Sequence, residues 1–277
     1  MMLTPATVQV LLDEHRIHPK KSLGQNFLAD PNTARRIVTL AAVRDGDLVV
    51  EIGPGLGSLT LALLEAGADV LAVELDASLA AVLGAVVADA GASDVHVADA
   101  LTVDWPVLLA GRSPWACVSN LPYTVAVPVV VRVLETAPTV DRLLVMVQRE
   151  VGERLAAAPG DDAYGAVSVK VAYHAEAAVV GVVPPTVFVP RPKVDSVLVR
   201  MRRRVAPPVT VPSEDALFTL VRAGFAQRRK MLRRSLAPVL GARAEAVLTG
   251  AGVEPTARAE VLGLEQWAAV ARSAAAA

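Results

Sequence analysis

The sequence NLPY, at residues 120–123, places two hydrogen-bond acceptors beside an aromatic ring at the end of an apolar stretch. The amide oxygen of Asn120 and the backbone carbonyl of Leu121 can each accept a hydrogen bond, and Pro122 stiffens the position of that carbonyl. Tyr123 can stack on a flat base and stabilise positive charge that develops on it. Two acceptors would suit N6 of adenine, because they turn its delocalised lone pair toward an electrophile. The alternative is an ordinary turn with a packed tyrosine.

A glycine-rich loop lies within EIGPGLGSLT, at residues 51–60, between a predicted strand and a predicted helix. Glycines let a ligand approach the backbone closely, and a helix N-terminus favours negative charge. A dinucleotide-binding fingerprint would need glycine at position 58, where this chain has Ser58. The spacing of Gly53, Gly55 and Gly57 is instead typical of the S-adenosylmethionine (SAM) sites of Rossmann-like methyltransferases. We therefore predict that this loop binds SAM.

Two carboxylates follow predicted strands at the same edge of the sheet. Glu74 ends the second strand, 21 positions after Gly53, which is close to the ~20 positions expected of an acid that binds ribose hydroxyls in NAD and SAM enzymes alike. Asp99 ends the third strand, where a carboxylate can accept a hydrogen bond from an adenine amino group. Each acid alone could be an ordinary surface residue. Together with Asn120 they place polar groups at three strand ends, which predicts a nucleoside-binding site.

The elements that must position these residues are short apolar runs that alternate with helical patterns. The runs are LVVEI (48–52), VLAVEL (70–75), DVHVAD (94–99), WACVSN (115–120), VVVRVLE (129–135) and LLVMVQ (143–148). This rhythm is typical of βαβ units around a mainly parallel sheet. The segment VDSVLVRM, at 194–201, predicts a late strand that closes the sheet edge. We expect an α/β fold with a Rossmann-like class I SAM-dependent methyltransferase sheet.

A change of pattern after residue 205 indicates a second domain. From there the sequence predicts helices only, with Ser213 as an N-cap and with Pro238 and Gly241 as breaks. We therefore predict a boundary near 205–212 and a small C-terminal all-helical domain. The predicted division is an N-terminal segment and cofactor lid at 1–30, a SAM-binding methyltransferase domain at 31–207, and a helical RNA-contacting domain at 208–277.

Composition narrows the class of protein. The 277 residues are 53% hydrophobic and 20% charged, which is typical of a globular chain and excludes a wholly disordered one. No uncharged, proline-free run approaches the roughly 20 residues that a membrane span requires. The single cysteine, Cys117, excludes an internal disulfide, and its apolar neighbours indicate a core residue. The histidines are scattered without a second ligand at zinc spacing, so we expect no metal site.

Charge is divided unevenly along the chain although the formal net charge is −1. Residues 41–110 hold eleven acids and one base, a net charge of −10, whereas residues 191–234 hold twelve bases and three acids, a net charge of +9. This polarity predicts one region that avoids phosphates and another that binds them. The alternative is a solvated basic face that balances the acidic half.

Six motifs together carry a resemblance to a known family. They are KSLGQNFL (21–28), EIGPGLGSLT (51–60), VELD (73–76), NLPY (120–123), VPRPKVDS (189–196) and QRRKMLRRSL (227–236). In this combination the chain resembles the KsgA (RsmA) family of 16S rRNA adenine N6,N6-dimethyltransferases. The resemblance implies dimethylation, with SAM as the cofactor, of two adjacent adenosines in the 3′-terminal hairpin loop of small-subunit rRNA during ribosome assembly.

The resemblance also assigns residues to the cofactor. By position in the motifs, the implied SAM contacts are Asn26, Leu28, Gly53, Glu74, Asp99 and Asn120, with Gln25, Gly55 and Ala100 as neighbours. Asn120 would also face the target amine. The pair Asp30 and Pro31 predicts an N-cap and a first helical turn, so GQNFL would lie just before a helix and could close over the ligand.

An aromatic residue and a set of basic residues complete the predicted site. Phe188 could cover the second face of a flipped base, or it could be a core phenylalanine before a proline turn. The predicted RNA-binding residues are Arg191, Lys193, Arg228, Arg229, Lys230 and Arg233. Met231 and Arg234 stand where the family usually has threonine and asparagine, which could alter RNA contacts. Adenine edges are hidden in double-stranded RNA, so the target base must come from a loop or be extruded.

Three other functions compete with this interpretation. An Erm-type methyltransferase would modify 23S rRNA, but LGQNFL and the leucine of GPGLG resemble the KsgA family more closely. A mainly RNA-binding assembly factor would not need intact NLPY and GPGLG motifs. A hydride-transfer enzyme is disfavoured by Ser58. We expect a cytoplasmic protein, because residues 1–15 show no basic leader or cleavage site. We also expect a monomer that binds small-subunit rRNA in the pre-30S particle.

Overall fold

A computed structural model describes residues 2–19, 24–88, 90–91 and 93–277 of the chain. Residues 21–23, the start of the KSLGQNFL motif, lie outside the described ranges. The chain divides into two compact units, one of Met1–Gly152 with Ala177–Arg203 and the other of Glu153–Glu176 with Arg204–Ala277. No helix in the described ranges is both long and apolar enough to cross a bilayer.

The first unit contains a large sheet with helices between its strands. In chain order its elements are α1 (Pro5–Glu14), β1 (Phe27–Leu28), α2 (Pro31–Leu40), β2 (Leu48–Ile52), α3 (Ser58–Glu65), β3 (Asp69–Glu74), α4 (Ala77–Val87), β4 (Ser93–Val97), α5 (Trp105–Leu108), β5 (Trp115–Asn120), α6 (Ala126–Thr136), β6 (Val140–Gln148) and α7 (Arg149–Ala156). The next helix, α8 (Ala166–His174), belongs to the other unit. The chain then continues with β7 (Ala175–Val183), β8 (Phe188–Val189) and β9 (Ser196–Arg203). These bounds confirm the predicted alternation of strands and helices, and the apolar run VVVRVLE at 129–135 lies in helix α6.

The seven-stranded sheet has the order β4-β3-β2-β5-β6-β9-β7. The pairs from β4 to β6 are parallel, and β9 runs antiparallel to β6. Strands β2 and β5 are almost wholly buried, which explains why their sequences are continuous apolar runs rather than alternating ones. Since β2, β3 and β5 are parallel, their carboxyl ends meet at one edge of the sheet.

The predicted strand at 194–201 exists, but its predicted place at the sheet edge is wrong. Strand β9 lies between β6 and β7, and β7 is the terminal strand. Residues Val197 to Val199 of β9 are buried on both faces, as an internal strand requires. Much of β7 is exposed. The sequence does not predict β7, because its alanines and valines show no clear alternation of apolar and polar residues.

A two-stranded sheet anchors the segment before α2. Strand β1 pairs with β8 in antiparallel fashion, with Phe27 opposite Val189 and Leu28 opposite Phe188. Helix α2 then begins as predicted, because the Asp30 carboxylate accepts a hydrogen bond from the backbone N–H of Thr33 at 2.9 Å. This pairing holds residues 24–28 beside the first unit's sheet edge.

The second unit is helical and has its own apolar core. It contains α8, α9 (Glu214–Ala226), α10 (Leu232–Ser235), α11 (Ala237–Leu240), α12 (Ala244–Gly250) and α13 (Leu264–Ala276). Ser213 caps α9 as predicted, by accepting a hydrogen bond from the N–H of Ala216. Trp267 and Phe218 are buried in this core.

The second unit is not one continuous stretch of chain, as a single boundary near 205–212 would require. It also includes residues Glu153–Glu176. Tyr164, Val169 and Tyr173 from this segment pack in the same apolar cluster as Phe218 and Trp267. The sequence pattern places the segment in the methyltransferase domain instead, because a local pattern does not reveal which core a helix joins.

A single arginine closes the end of α6. The guanidinium of Arg203 donates hydrogen bonds to the carbonyls of Val140 at 2.6 Å, Leu134 at 2.8 Å, and Val133 and Ala137 at 3.0 Å. Helix ends leave their last carbonyls without partners, and a basic side chain can satisfy them. Arg203 therefore ties β9 to the C-terminus of α6.

We predict that Arg203→Lys lowers the free energy of unfolding by about 2 kcal/mol, because one ammonium group cannot reach four carbonyls in these directions. Urea denaturation followed by circular dichroism measures the change. Arg202→Lys is the matched control, since Arg202 is the exposed neighbour on the same strand. Equal losses in both variants would contradict the role given to Arg203.

Candidate active site

A cavity of about 180 Å³ opens at the carboxyl edge of the sheet in the first unit. The loops that follow β2, β3, β4 and β5 and the segment at residues 24–28 form its wall. It brings together the predicted residues Gln25, Asn26, Leu28, Gly53, Gly55, Glu74, Asp99, Ala100, Asn120, Leu121, Pro122 and Tyr123. Segments that are far apart in the sequence therefore share one pocket.

The glycine loop is shaped by backbone that side chains would not tolerate. Gly53 has φ +68°, and a Cβ atom built there would lie 3.2 Å from Cδ of Pro122. Gly55 has φ +58°, and its Cβ would lie 2.9 Å from the ring of Phe27. Left-handed backbone is strained for residues with a Cβ. The loop thus packs directly against the acceptor turn on one side and the segment before α2 on the other.

Glu74 lies at the end of β3 with both carboxylate oxygens facing backbone donors. Oε2 accepts from the N–H of Gly55 at 3.1 Å, and Oε1 accepts from the N–H of Asp76 at 3.0 Å. Burial raises the pKa of Glu74, and the backbone hydrogen bonds partly offset that effect. The residue is 7% exposed and lines the cavity. Its remaining lone pairs can accept hydrogen bonds from a ligand's hydroxyl groups.

Asp99 and Ala100 form the wall after β4. The Asp99 carboxylate accepts from the N–H of Leu101 at 2.9 Å through Oδ1. The carbonyl of Ala100 accepts from Nε1 of the buried Trp105 at 3.1 Å, which fixes the turn. The geometry leaves Oδ2 of Asp99 to serve as an acceptor for an amino group at the cavity wall.

Asn120 is oriented by a segment far away in sequence. Its Nδ2 donates to the backbone carbonyl of Asn26 at 3.3 Å, and Nδ2 of Asn26 in turn donates to the carbonyl of Gly24 at 3.1 Å. Because the amide nitrogen is occupied, the oxygen is the end of Asn120 that is available to a substrate. The N–H of Leu121 donates to the carbonyl of Met146 at 3.1 Å, and in the described chain the Leu121 carbonyl has no backbone donor.

Tyr123 is held by the strand that follows the VPRPKVDS motif. Its hydroxyl lies 2.7 Å from Oγ of Ser196, which is fully buried. Burial raises the pKa of Tyr123, so the phenol is neutral near pH 7, although the hydrogen bond to Ser196 acts in the opposite direction. The structure therefore presents Tyr123 as an aromatic surface and not as a base.

Phe188 does not line the cavity. It is 3% exposed, is paired with Leu28 through the β1–β8 sheet, and belongs to the main apolar core of the first unit. This placement corresponds to the core alternative and not to the stacking role expected from the sequence. The physical reason is that the β1–β8 pairing turns the ring inward.

The predicted RNA-binding residues differ in their surroundings. Arg191 and Lys193 lie in the loop between β8 and β9, where both are exposed. In the second unit, Arg228 donates a hydrogen bond to the carbonyl of Asp162 at 2.5 Å, and its Nε lies 3.5 Å from Oε2 of Glu260. Nη1 of Arg233 lies 3.8 Å from Oε1 of Glu245.

The other two basic residues of that segment, Arg229 and Lys230, are exposed. Their side chains have no hydrogen bond or ion pair with any part of the chain that the structure describes. They are therefore free to contact phosphate groups.

Glu51, Leu75 and Leu101 are among the cavity residues that are not predicted from the sequence. Glu51 is 1% exposed on the cavity wall, Leu75 is 57% exposed beside Glu74, and Leu101 follows Asp99. Leu75 and Leu101 each lie within two residues of an acid that follows a strand, Glu74 or Asp99. That proximity could have indicated apolar contacts to a flat base.

Two negative expectations concern cysteine and metal chemistry. Cys117 is buried, and burial raises its pKa to about 12, as a core residue requires. Among the described residues, no group of three or more histidine, cysteine or acidic side chains could hold a metal ion.

Comparison with protein families matches residues 16–276 to the family described as ribosomal RNA adenine dimethylase. Among curated proteins, the chain is 51% identical to the ribosomal RNA small subunit methyltransferase A of Thermobifida fusca, over 98% of this chain and 95% of the relative. It is also 51% identical to the protein of the same name from Streptomyces coelicolor, over 98% of this chain and 96% of the relative. The similarity thus extends over nearly the full length of both proteins.

Solved structures show the same architecture. The 23S rRNA methyltransferase ErmE is 30% identical, with a TM-score of 0.68 over 90% of this chain and 99% of that protein. A dimethyladenosine transferase from Plasmodium falciparum is 23% identical, with a TM-score of 0.71 over 88% of this chain and 95% of that protein. At this identity the second likeness concerns the fold alone. These comparisons confirm the predicted fold class.

We predict that Gly53→Ala weakens SAM binding at least tenfold, because the new Cβ displaces Pro122 as well as straining the backbone. Gly46→Ala is the matched control, since Gly46 has a similar φ of +79° but nothing within 4 Å of a Cβ. Both variants carry the same kind of backbone strain. Calorimetric titration with SAM distinguishes them, and comparable affinities in the two variants would refute the importance of the Gly53–Pro122 contact.

Proposed function

This chain belongs to the ribosomal RNA adenine dimethylase family, and from that premise we propose that it transfers methyl groups from SAM to N6 of adenosine in small-subunit (16S) rRNA. The observation that supports the proposal is the hydrogen bond from Nδ2 of Asn120, a residue of the cavity wall, to the carbonyl of Asn26, because it leaves the amide oxygen of Asn120 as an acceptor for the target amine. The product is N6,N6-dimethyladenosine. The family resemblance extends the proposal to two adjacent adenosines in the 3′-terminal hairpin loop, modified during subunit assembly.

The residues of the cavity fit SAM. Backbone without side chains at Gly53 and Gly55 lets a ligand approach the loop, and Glu74 and Asp99 supply acceptors for ribose hydroxyls and an adenine amino group. Leu75 and Leu101 supply apolar surface for a base. When bound, SAM supplies a methyl group on a positively charged sulfur. The assignments of Gln25, Asn26, Leu28 and Ala100 as further contacts are supported by their places on the cavity wall.

The acceptor turn addresses the main chemical difficulty. The N6 lone pair of adenine is delocalised into the ring, which makes the nitrogen a poor nucleophile. The Asn120 amide oxygen and the Leu121 carbonyl accept the two amino hydrogens, so the lone pair is directed out of the ring plane toward the electrophile. Both acceptors are fixed before substrate binds, one by Asn26 and the other by the Leu121–Met146 hydrogen bond. Such preorganisation is the usual source of large catalytic effects.

Tyr123 and water complete the reaction. The Tyr123 ring can stack on the target base and stabilise the positive charge that develops on nitrogen. Its hydroxyl is engaged by Ser196 and its pKa is raised by burial, so it does not act as a base. No general base is required, because the alkylated amino cation is acidic enough to lose its proton to water. The same site can then accept the monomethylated amine, which retains one hydrogen for an acceptor.

Two observations bear on the competing functions. ErmE, a 23S rRNA methyltransferase, is 30% identical, whereas relatives named for the small subunit are 51% identical. The difference favours small-subunit rRNA. A role as an assembly factor is compatible with catalysis, since binding of pre-ribosomal RNA precedes either. We further propose that the protein acts as a cytoplasmic monomer, which the composition and the intracellular location of its substrate support.

We predict that Asn120→Ala reduces methyl transfer by about a hundredfold or more and weakens SAM binding far less, because the lost acceptor acts mainly on the target amine in the transition state. Asn32→Ala, on the exposed side of α2, is the control. The protein is incubated with labelled SAM and small-subunit particles that lack the modification, and N6,N6-dimethyladenosine is measured after digestion. Large-subunit RNA serves as the second substrate.

Equal losses of transfer and SAM affinity in Asn120→Ala would remove its proposed role. Methylation of large-subunit rRNA alone would overturn the choice of substrate.

We predict that neutralising Arg229 and Lys230 to glutamine weakens RNA binding and lowers the salt slope by roughly 0.7 for each phosphate interaction removed, because fewer counterions are released. Arg243→Gln is the control, since Arg243 is exposed in the same unit but outside the basic segment. Binding to a 3′-terminal hairpin RNA is titrated over a range of salt concentrations. A slope unaltered from the native value would assign both side chains to solvation.

A further inference from the structure

Glu51 is a buried carboxyl group on the wall of the cofactor cavity, and the proposed mechanism does not use it. It lies near the end of β2, is 1% exposed, and accepts a hydrogen bond from Oγ1 of Thr60 at 2.6 Å through Oε2. Its other oxygen, Oε1, has no hydrogen-bond partner within the described ranges. A buried carboxylate normally has a cationic partner or several donors, and Glu51 has one neutral hydroxyl.

Among the described residues, the surroundings of Glu51 hold acids and no cations. Helix α3 presents Thr60, β3 ends in Glu74, and β5 carries the neutral thiol of Cys117 and the hydroxyl of Ser119. Across the cavity the ionisable residues are Glu74, Asp76, Asp99 and Tyr123, and none of the described lining residues is lysine, arginine or histidine. The cavity therefore concentrates negative charge around any ligand it holds.

In the free protein this environment favours the uncharged acid. Burial raises the pKa of Glu51 to about 8, the hydrogen bond from Thr60 acts to lower it, and the nearby charge of Glu74 raises it further. A positive charge brought close to the group would act in the opposite direction and favour the carboxylate. Near pH 7 the protonation state of Glu51 should then depend on the charge of the bound ligand.

We propose that Glu51 is a charge-sensing residue of the cofactor site, neutral in the free cavity and ionised when the positively charged donor is bound. This inference rests on the proposed function. On binding of SAM the O–H bond of Glu51 breaks, the electron pair stays on the carboxylate, and the proton passes to the buffer. The demethylated product, S-adenosylhomocysteine, has lost the positive charge on sulfur, so it leaves Glu51 largely protonated.

This coupling lets the site distinguish donor from product by charge as well as shape. The ionised Glu51 attracts the donor's positive charge, whereas the product meets a neutral acid and gains nothing from it. Below the pKa of Glu51 in the free protein, binding of the donor must first remove the proton of Glu51. The free-energy cost of that step disappears as the pH rises through about 8. The preference for donor over product should therefore increase from pH 7 to pH 9.

Calorimetric titration in two buffers of different ionisation enthalpy counts the protons released on binding. The native chain and Glu51→Gln are each titrated with SAM and with S-adenosylhomocysteine at pH 7. Glutamine keeps an oxygen for the Thr60 hydroxyl but cannot ionise. Both ligands carry an α-amino group that titrates in this range, so the quantity assigned to Glu51 is the native value minus the Glu51→Gln value.

We expect that difference to be about 0.9 proton for SAM, given a group whose pKa is near 8, and less than half of that for S-adenosylhomocysteine. From pH 7 to pH 9, SAM affinity of the native chain should rise about tenfold relative to Glu51→Gln. Thr60→Val should move this pH dependence upward, because the carboxylate no longer receives a hydrogen bond, and Thr60→Ser should preserve it.

Equal proton release for the two ligands, or the same release in native protein and Glu51→Gln, would overturn the inference and leave the proposed function intact. An absence of SAM binding to the native chain would overturn both. If Glu51→Gln does not fold, the shift between Thr60→Val and Thr60→Ser decides the matter, and an unchanged pH dependence in Thr60→Val counts against Glu51.

Discussion

The close contact between the glycine loop and the acceptor turn is the constraint on which the site depends. A Cβ at Gly53 would lie 3.2 Å from Cδ of Pro122, a tight contact, and the φ of +68° is strained for a residue with a Cβ, so glycine favours this close approach. They leave neighbouring parallel strands, and the β2–β5 register sets their distance. In the proposed function, this contact places a methyl donor at the loop close to an amine at the turn.

A second long-range contact completes the acceptor. The short β1–β8 sheet pairs Phe27 with Val189 and so carries the carbonyl of Asn26 to the amide nitrogen of Asn120. That hydrogen bond fixes the amide nitrogen of Asn120 toward Asn26 and leaves the amide oxygen as the acceptor. The pairing also explains the inward position of Phe188, since the strand that delivers Asn26 buries the ring opposite Leu28. The segment before α2, the acceptor turn and the core beneath them are thus parts of one small interlocked structure.

The acidic and basic residues of the protein lie in different places. The cavity of the first unit is lined by carboxyl groups, which suits a donor with a positive sulfur and repels phosphate. The basic residues lie elsewhere, in the loop before β9 and in the second unit, where Arg229 and Lys230 remain exposed. The formal net charge of −1 hides this separation, because the two distributions nearly cancel.

The sequence by itself determined the alternating α/β pattern, the helical end of the chain, the caps at Asp30 and Ser213, and the glycine and NLPY motifs that the structure brings to one cavity. These are local features, because apolar periodicity, glycine spacing and capping act over a few neighbouring residues. Only the tertiary structure decided that β7 and not β9 lies at the sheet edge, and that residues 153–176 join the helical core. It also decided the orientation of Asn120, the burial of Phe188 and the isolation of Glu51. Each of these depends on which distant segments pack together, and that information is contained in the whole fold and not in any short stretch.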